Sequence, residues 1–145
     1  MNQFPQGVLD SESKALSTVT STMQDDSRPL VLLVEDEDGV RRSLQLLLAG
    51  KGYRVKAFSA AEAAIADPAS RDAAILIADY RLRDSDGVRL LTALRQRGWL
   101  GRAILVTGFG SKEIDRAAHA AGFEAVIAKP MRHQDLLAAL RLPTA

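Results

Sequence analysis

From Leu30 onward the chain alternates two hydrophobic patterns. Short runs that are almost wholly apolar give way to longer stretches in which apolar residues recur every three or four positions. The first pattern predicts strands over Leu30–Val34, Arg54–Phe58, Ala74–Ala78, Ala103–Val106 and Ala125–Ala128. Four of these read as strands covered on both faces, while Arg54–Phe58 alternates and suits a sheet edge. The second pattern predicts helices between them. Val40, Leu44, Leu47 and Leu48 make one stripe, with Arg41, Arg42 and Gln45 turned outward, and Val88, Leu91 and Leu94 make another. Ile114, Ala117, Ala118 and Ala121 line the fourth helix, and Leu136, Leu137 and Leu140 the fifth. Ser59 and Glu62 have the spacing of a capping box for the Ala-rich second helix.

Regular alternation of this kind calls for an α/β fold, with a parallel sheet, right-handed crossovers and helices on both faces. The expectation is a three-layer, doubly wound (βα)5 domain over residues 29–142, with a five-stranded parallel sheet. Residues 1–28 are rich in Ser, Thr, Gln and Asp and show neither pattern, so they read as a flexible tail. In sheets of this class, ligands bind beyond the carboxyl ends of the strands, where strand order reverses. Functional side chains should therefore stand just after strands.

Composition narrows the chemistry. At 145 residues, with 47% hydrophobic and 26% charged residues, the chain suits one globular domain. Nineteen Lys and Arg against eighteen Asp and Glu leave no strong field to draw in nucleic acid or an anionic membrane. The absence of Cys rules out disulfides, thiolate zinc sites and cysteine catalysis. No basic stretch with a long apolar run marks a secretory signal, and no run is long enough to span a bilayer, so a cytoplasmic location is expected.

The residues at the strand ends are the chemically interesting ones. Glu35 and Asp36 follow the first strand, Asp79 the third, Thr107 closes the fourth and Lys129 follows the fifth. Crowded carboxylates repel unless a cation joins them, and a hard divalent ion such as Mg²⁺ prefers carboxylates, waters and a phosphate oxygen. Lys129 and Thr107 supply a charge and a hydroxyl suited to phosphoryl oxygens. Phosphoryl transfer needs a nucleophile in line and positive charge around those oxygens, and an aspartate can be that nucleophile.

These motifs resemble the receiver domain of two-component response regulators, a flavodoxin-like phospho-acceptor, over about residues 29 to 141. The resemblance implies strand order 2-1-3-4-5 and phosphorylation on Asp79, with Thr107 and Lys129 binding the phosphoryl group. It implies Mg²⁺ held by Glu35, Asp36, Asp79 and the main-chain carbonyl of Arg81. It makes Asp86-Gly87 the turn into the third helix, and Lys129-Pro130 a cis bond. A sensor histidine kinase or histidine phosphotransfer protein would dock near the first helix. A downstream protein would read the face of the fourth helix, fifth strand and fifth helix, and the resemblance also allows a homodimer. The chain would then be a signalling switch rather than an enzyme, touching neither nucleic acid nor membrane directly. The departures are Glu35 for the commoner Asp and Val126 where a switching aromatic is frequent. Arg81 and Phe109 stand at positions lining the path of the attacking water.

Two alternatives stay open on sequence. Asp36-Glu37-Asp38-Gly39-Val40 resembles the first motif of haloacid-dehalogenase phosphatases, with Asp36 as nucleophile, although only Asp135 follows Lys129 as an acid. The other is an interaction module that works without phosphorylation. Among the remaining polar residues, Glu37 and Asp38 read as a solvated helix start, and Asp84 and Asp86 as a hydrated loop. His119 and His133 read as surface residues, and Trp99 as a cap on the core.

Overall fold

A computed structural model describes residues 27–108 and 110–141. Most of the expected tail, and Phe109, lie outside the described residues. Five strands, β1 (Leu30–Val34), β2 (Arg54–Phe58), β3 (Ile75–Asp79), β4 (Arg102–Thr107) and β5 (Ala125–Ala128), alternate with five helices. The helices are α1 (Asp38–Gly50), α2 (Ala61–Ala66), α3 (Gly87–Gln96), α4 (Lys112–Ala121) and α5 (His133–Arg141), and a 3₁₀ turn at Pro68–Asp72 leads into β3. The strands are all parallel, in the order β2-β1-β3-β4-β5.

The alternation of side chains along each strand builds two cores, one on each face. Leu30, Leu32 and Val34 point to the layer of α2, α3 and α4, where they meet Ala64, Leu90, Leu91, Leu94 and Ala118. Val31 and Leu33 point the other way, to Leu44 and Leu48 of α1 and Leu136 and Leu140 of α5. β3 and β4 divide in the same manner, with Ile75, Ile77, Ile104 and Val106 on the second face. That is why β1, β3 and β4 read as unbroken apolar runs.

Several expectations shift. β5 takes the edge position that the expected order gives it, but it is only half-buried, although its composition reads as covered on both faces. Ala117 faces solvent, so Ile114, Ala118 and Ala121 carry the inner side of α4. β3 starts one residue later than expected and ends on Asp79 itself, paired with Val106.

The capping box does not form. Ala60 occupies the N-cap of α2 without any side-chain cap. The Glu62 amide, which Ser59 would have taken, instead donates to Asp84 Oδ2 at 2.9 Å, and the Ala61 amide donates to Asp84 Oδ1 at 2.9 Å. Asp84 is therefore a helix cap supplied by a distant loop, not a merely hydrated residue. Asp86 caps too, accepting from the Arg89 amide at the start of α3 at 2.8 Å. The other readings hold: His119 and His133 are exposed, and Trp99 is buried with its Nε1 donating to the Ala73 carbonyl at 2.8 Å.

Candidate functional site

Because β1 and β3 lie side by side while their following helices pack on opposite faces, the sheet opens a crevice at their carboxyl ends. Glu35 and Asp36 leave β1 there, Asp79 ends β3, Thr107 ends β4, and Lys129 follows β5. The Lys129-Pro130 bond is cis. Glu35, Asp79 and Thr107 are 3%, 8% and 1% exposed, so two of the carboxylates and the hydroxyl are held largely away from water.

The sequence-predicted carboxylates do converge. Glu35, Asp36 and Asp79 each offer an oxygen, and these lie within 4.8 Å of one another. Lys129 Nζ donates to Asp79 Oδ2 at 2.7 Å and to Glu35 Oε1 at 3.1 Å. The second Glu35 oxygen accepts from the Glu37 amide at 3.1 Å. The longer Glu side chain thus reaches across to the lysine while staying anchored to its own turn. The Lys129 amide donates to the Thr107 carbonyl at 2.8 Å, which ties the lysine to the end of β4. Arg81 stands at the rim, its amide 3.4 Å from Asp79 Oδ1.

Burial pushes the Glu35 carboxyl up to about 7. The Glu37 amide opposes this, the Asp79 charge reinforces it, and Lys129 pulls it back only in part. For Lys129, burial alone would lower the ammonium, but the hydrogen bonds and charges of Asp79 and Glu35 outweigh it and the net shift is upward. Three clustered carboxylates face one ammonium, so the site carries surplus negative charge. An all-oxygen donor set of this sign fits a hard divalent cation.

Two supports for the site escaped the sequence reading. Arg41 was expected to face outward, yet it is half-buried, with Nη1 donating to the Glu35 carbonyl at 2.9 Å and Nη2 to Asp38 at 2.7 Å. It braces the acidic turn. Gly87 was expected only as a turn residue, but a Cβ there would lie 2.6 Å from Leu105 Cδ1 and 2.7 Å from the Asp79 carbonyl oxygen. The start of α3 therefore abuts the backbone of Asp79. No local pattern marks Arg41, whereas a glycine just after a capping Asp is a usable signal for close approach.

Known proteins resemble the chain in sequence and in fold. The family model described as the response regulator receiver domain matches residues 31–141. The KDP operon transcriptional regulatory protein KdpE of Escherichia coli is 35% identical over 113 residues, covering 77% of this chain and 49% of KdpE. The transcriptional regulatory protein FixJ of Rhizobium meliloti is 33% identical over 110 residues, covering 76% and 54%. The chain thus spans about half the length of these curated relatives. Among solved structures, the signal receiver domain of an HD domain-containing protein from Pseudomonas fluorescens superposes with a TM-score of 0.72 at 31% identity, covering 79% of this chain and 92% of that one.

Proposed function

The chain belongs to the response regulator receiver domain family, and from that membership we propose that it is a phosphorylation-dependent signalling switch with Asp79 as the phospho-acceptor. The observation that carries the reading is the contact of Lys129 Nζ with Asp79 Oδ2 at 2.7 Å, beside the Glu35 and Asp36 carboxylates. A lysine so placed holds the acceptor carboxylate in position and stands ready to neutralise a phosphoryl oxygen.

In the reaction, an Asp79 carboxylate oxygen attacks the phosphorus of a phosphohistidine donor. The phosphorus–nitrogen bond breaks, the imidazole nitrogen keeps the electron pair, and an acyl phosphate forms on Asp79. Lys129 pairs with the new phosphoryl group and the Thr107 hydroxyl donates to one of its oxygens. Glu35, Asp36, Asp79 and the Arg81 carbonyl would hold Mg²⁺, which when bound offsets the negative charge on the phosphoryl oxygens. The donor is a sensor histidine kinase or a histidine phosphotransfer protein in the cytoplasm. Output passes through the face of α4, β5 and α5. Val126, half-buried against the core, takes the place of a switching aromatic, so the change must travel through Thr107 and the adjoining backbone. KdpE and FixJ are transcriptional regulatory proteins by name, so the expectation of no direct nucleic-acid contact concerns the receiver fold alone. No helix among the described residues is long and apolar enough to cross a membrane.

The test is intact mass after incubation with Mg²⁺ and acetyl phosphate or phosphoramidate. Wild type is expected to gain one phosphoryl group and Asp79→Asn none. Labelling that survives Asp79→Asn but is lost in Asp36→Asn would favour the phosphatase reading. No adduct on wild type with any donor would favour an interaction module.

A further inference from the structure

The loop from Tyr80 to Asp86 carries Arg81 past the acceptor, and its base is closed by short-range bonds. Arg81 and Asp86 form an antiparallel bridge, the Gly87 amide donates to the Tyr80 carbonyl at 2.8 Å, and the Leu82 amide donates to Ser85 at 3.1 Å. Leu82 is buried in the core beneath it. The tip is held differently. Both oxygens of Asp84 reach across to another element and take the first two amides of α2, at 2.9 Å each.

Two features make this tether more than a helix cap. Asp84 is exposed, so nothing in its own environment demands those two bonds. α2 also has a hydroxyl of its own at Ser59, correctly spaced to take the Glu62 amide, and does not use it. A local hydroxyl would take one of these amides, whereas the remote carboxylate takes both and also fixes the loop. Two acceptors on one planar group set both its position and its rotation.

We propose that Asp84 is a positioning residue of the phospho-acceptor site, holding the 80–86 loop so that the Arg81 main chain stays beside Asp79. The inference rests on the receiver reading, in which the Arg81 carbonyl is a metal ligand. Outer partners that orient a ligand typically change metal affinity by roughly tenfold or more when removed.

The experiment uses the full chain with two readouts. Mg²⁺ affinity is measured by titration calorimetry, and amide hydrogen exchange is followed over residues 80–86 without metal. Asp84→Ala should weaken Mg²⁺ binding roughly tenfold and speed exchange in the loop. Adding Ala60→Asp to Asp84→Ala gives α2 a cap of its own, which should restore the thermal midpoint and leave both site readouts impaired. If the double variant recovers Mg²⁺ affinity together with stability, Asp84 is a cap and nothing more. Asp84→Ala that binds Mg²⁺ like wild type would likewise overturn the positioning role, while leaving the phospho-acceptor reading intact. Wild type that binds no Mg²⁺ would remove that reading itself, and this proposal with it.

Discussion

Gly87 shows how little room the acceptor has. Its φ is not positive, so the requirement for glycine comes from crowding rather than from backbone conformation. A methyl group here would meet the Asp79 carbonyl oxygen, which is backbone in a central strand and cannot yield, and a Leu105 methyl that could turn only at the expense of its packing. Gly87→Ala should lower stability by about 1–3 kcal/mol, the usual cost of overpacking, as read from the urea midpoint. An unchanged midpoint would show that Leu105 repacks and that α3 can retreat from β3. Glu35 is the other residue whose identity matters locally. Its extra methylene lets one carboxylate serve both the Glu37 amide and Lys129.

At the scale of elements, caps decide where helices begin, and capping across space is invisible to local pattern. Ser59 and Glu62 have the right spacing, yet the Glu62 amide, from which Ser59 would accept, donates instead to Asp84 of the next βα loop. By contrast Asp86 and Ser111 cap their own helices within three residues, a range that sequence can express. The Asp84 tether also has a pH signature. The amides of Glu62 and Ala61 hold its carboxyl below the ordinary aspartate value of 3.8. A lowered folded value means that the stabilisation is present above 3.8 and is lost as pH falls through the folded value. The difference in urea midpoint between wild type and Asp84→Asn should therefore be largest near neutrality and shrink on the acid side. A difference that stays constant with pH would mean that the charge contributes nothing. Because Asp84 is exposed, salt should reduce the effect as well.

Across the whole molecule, the parallel sheet and the rim of strand-end residues were legible because both follow from βα alternation, whereas the strand order came only from the resemblance to receiver domains. Glu35, Asp79, Thr107 and Lys129 are legible because each borders or closes an apolar run, and Asp36 follows Glu35 directly. What stayed hidden was long-range: the Asp84 tether, the inward fold of Arg41, and the partial exposure of β5, whose apolar composition reads as covered on both faces.

Trp99, the chain's single tryptophan, is buried between the end of α3 and the start of β4, under the Arg95 guanidinium at 4.9 Å. That is the amino end of the strands, across the sheet from Asp79. The protein thus carries a natural fluorophore placed in the core at the opposite end of the strands from the acceptor. Its emission should shift to the red cooperatively in urea and stay unchanged on titration with Mg²⁺ or a phosphoryl donor. A metal-dependent change in emission would reveal that the state of the acceptor is felt along the whole length of β3 and β4. With no such change, unfolding and ligation can be followed independently in one unlabelled sample.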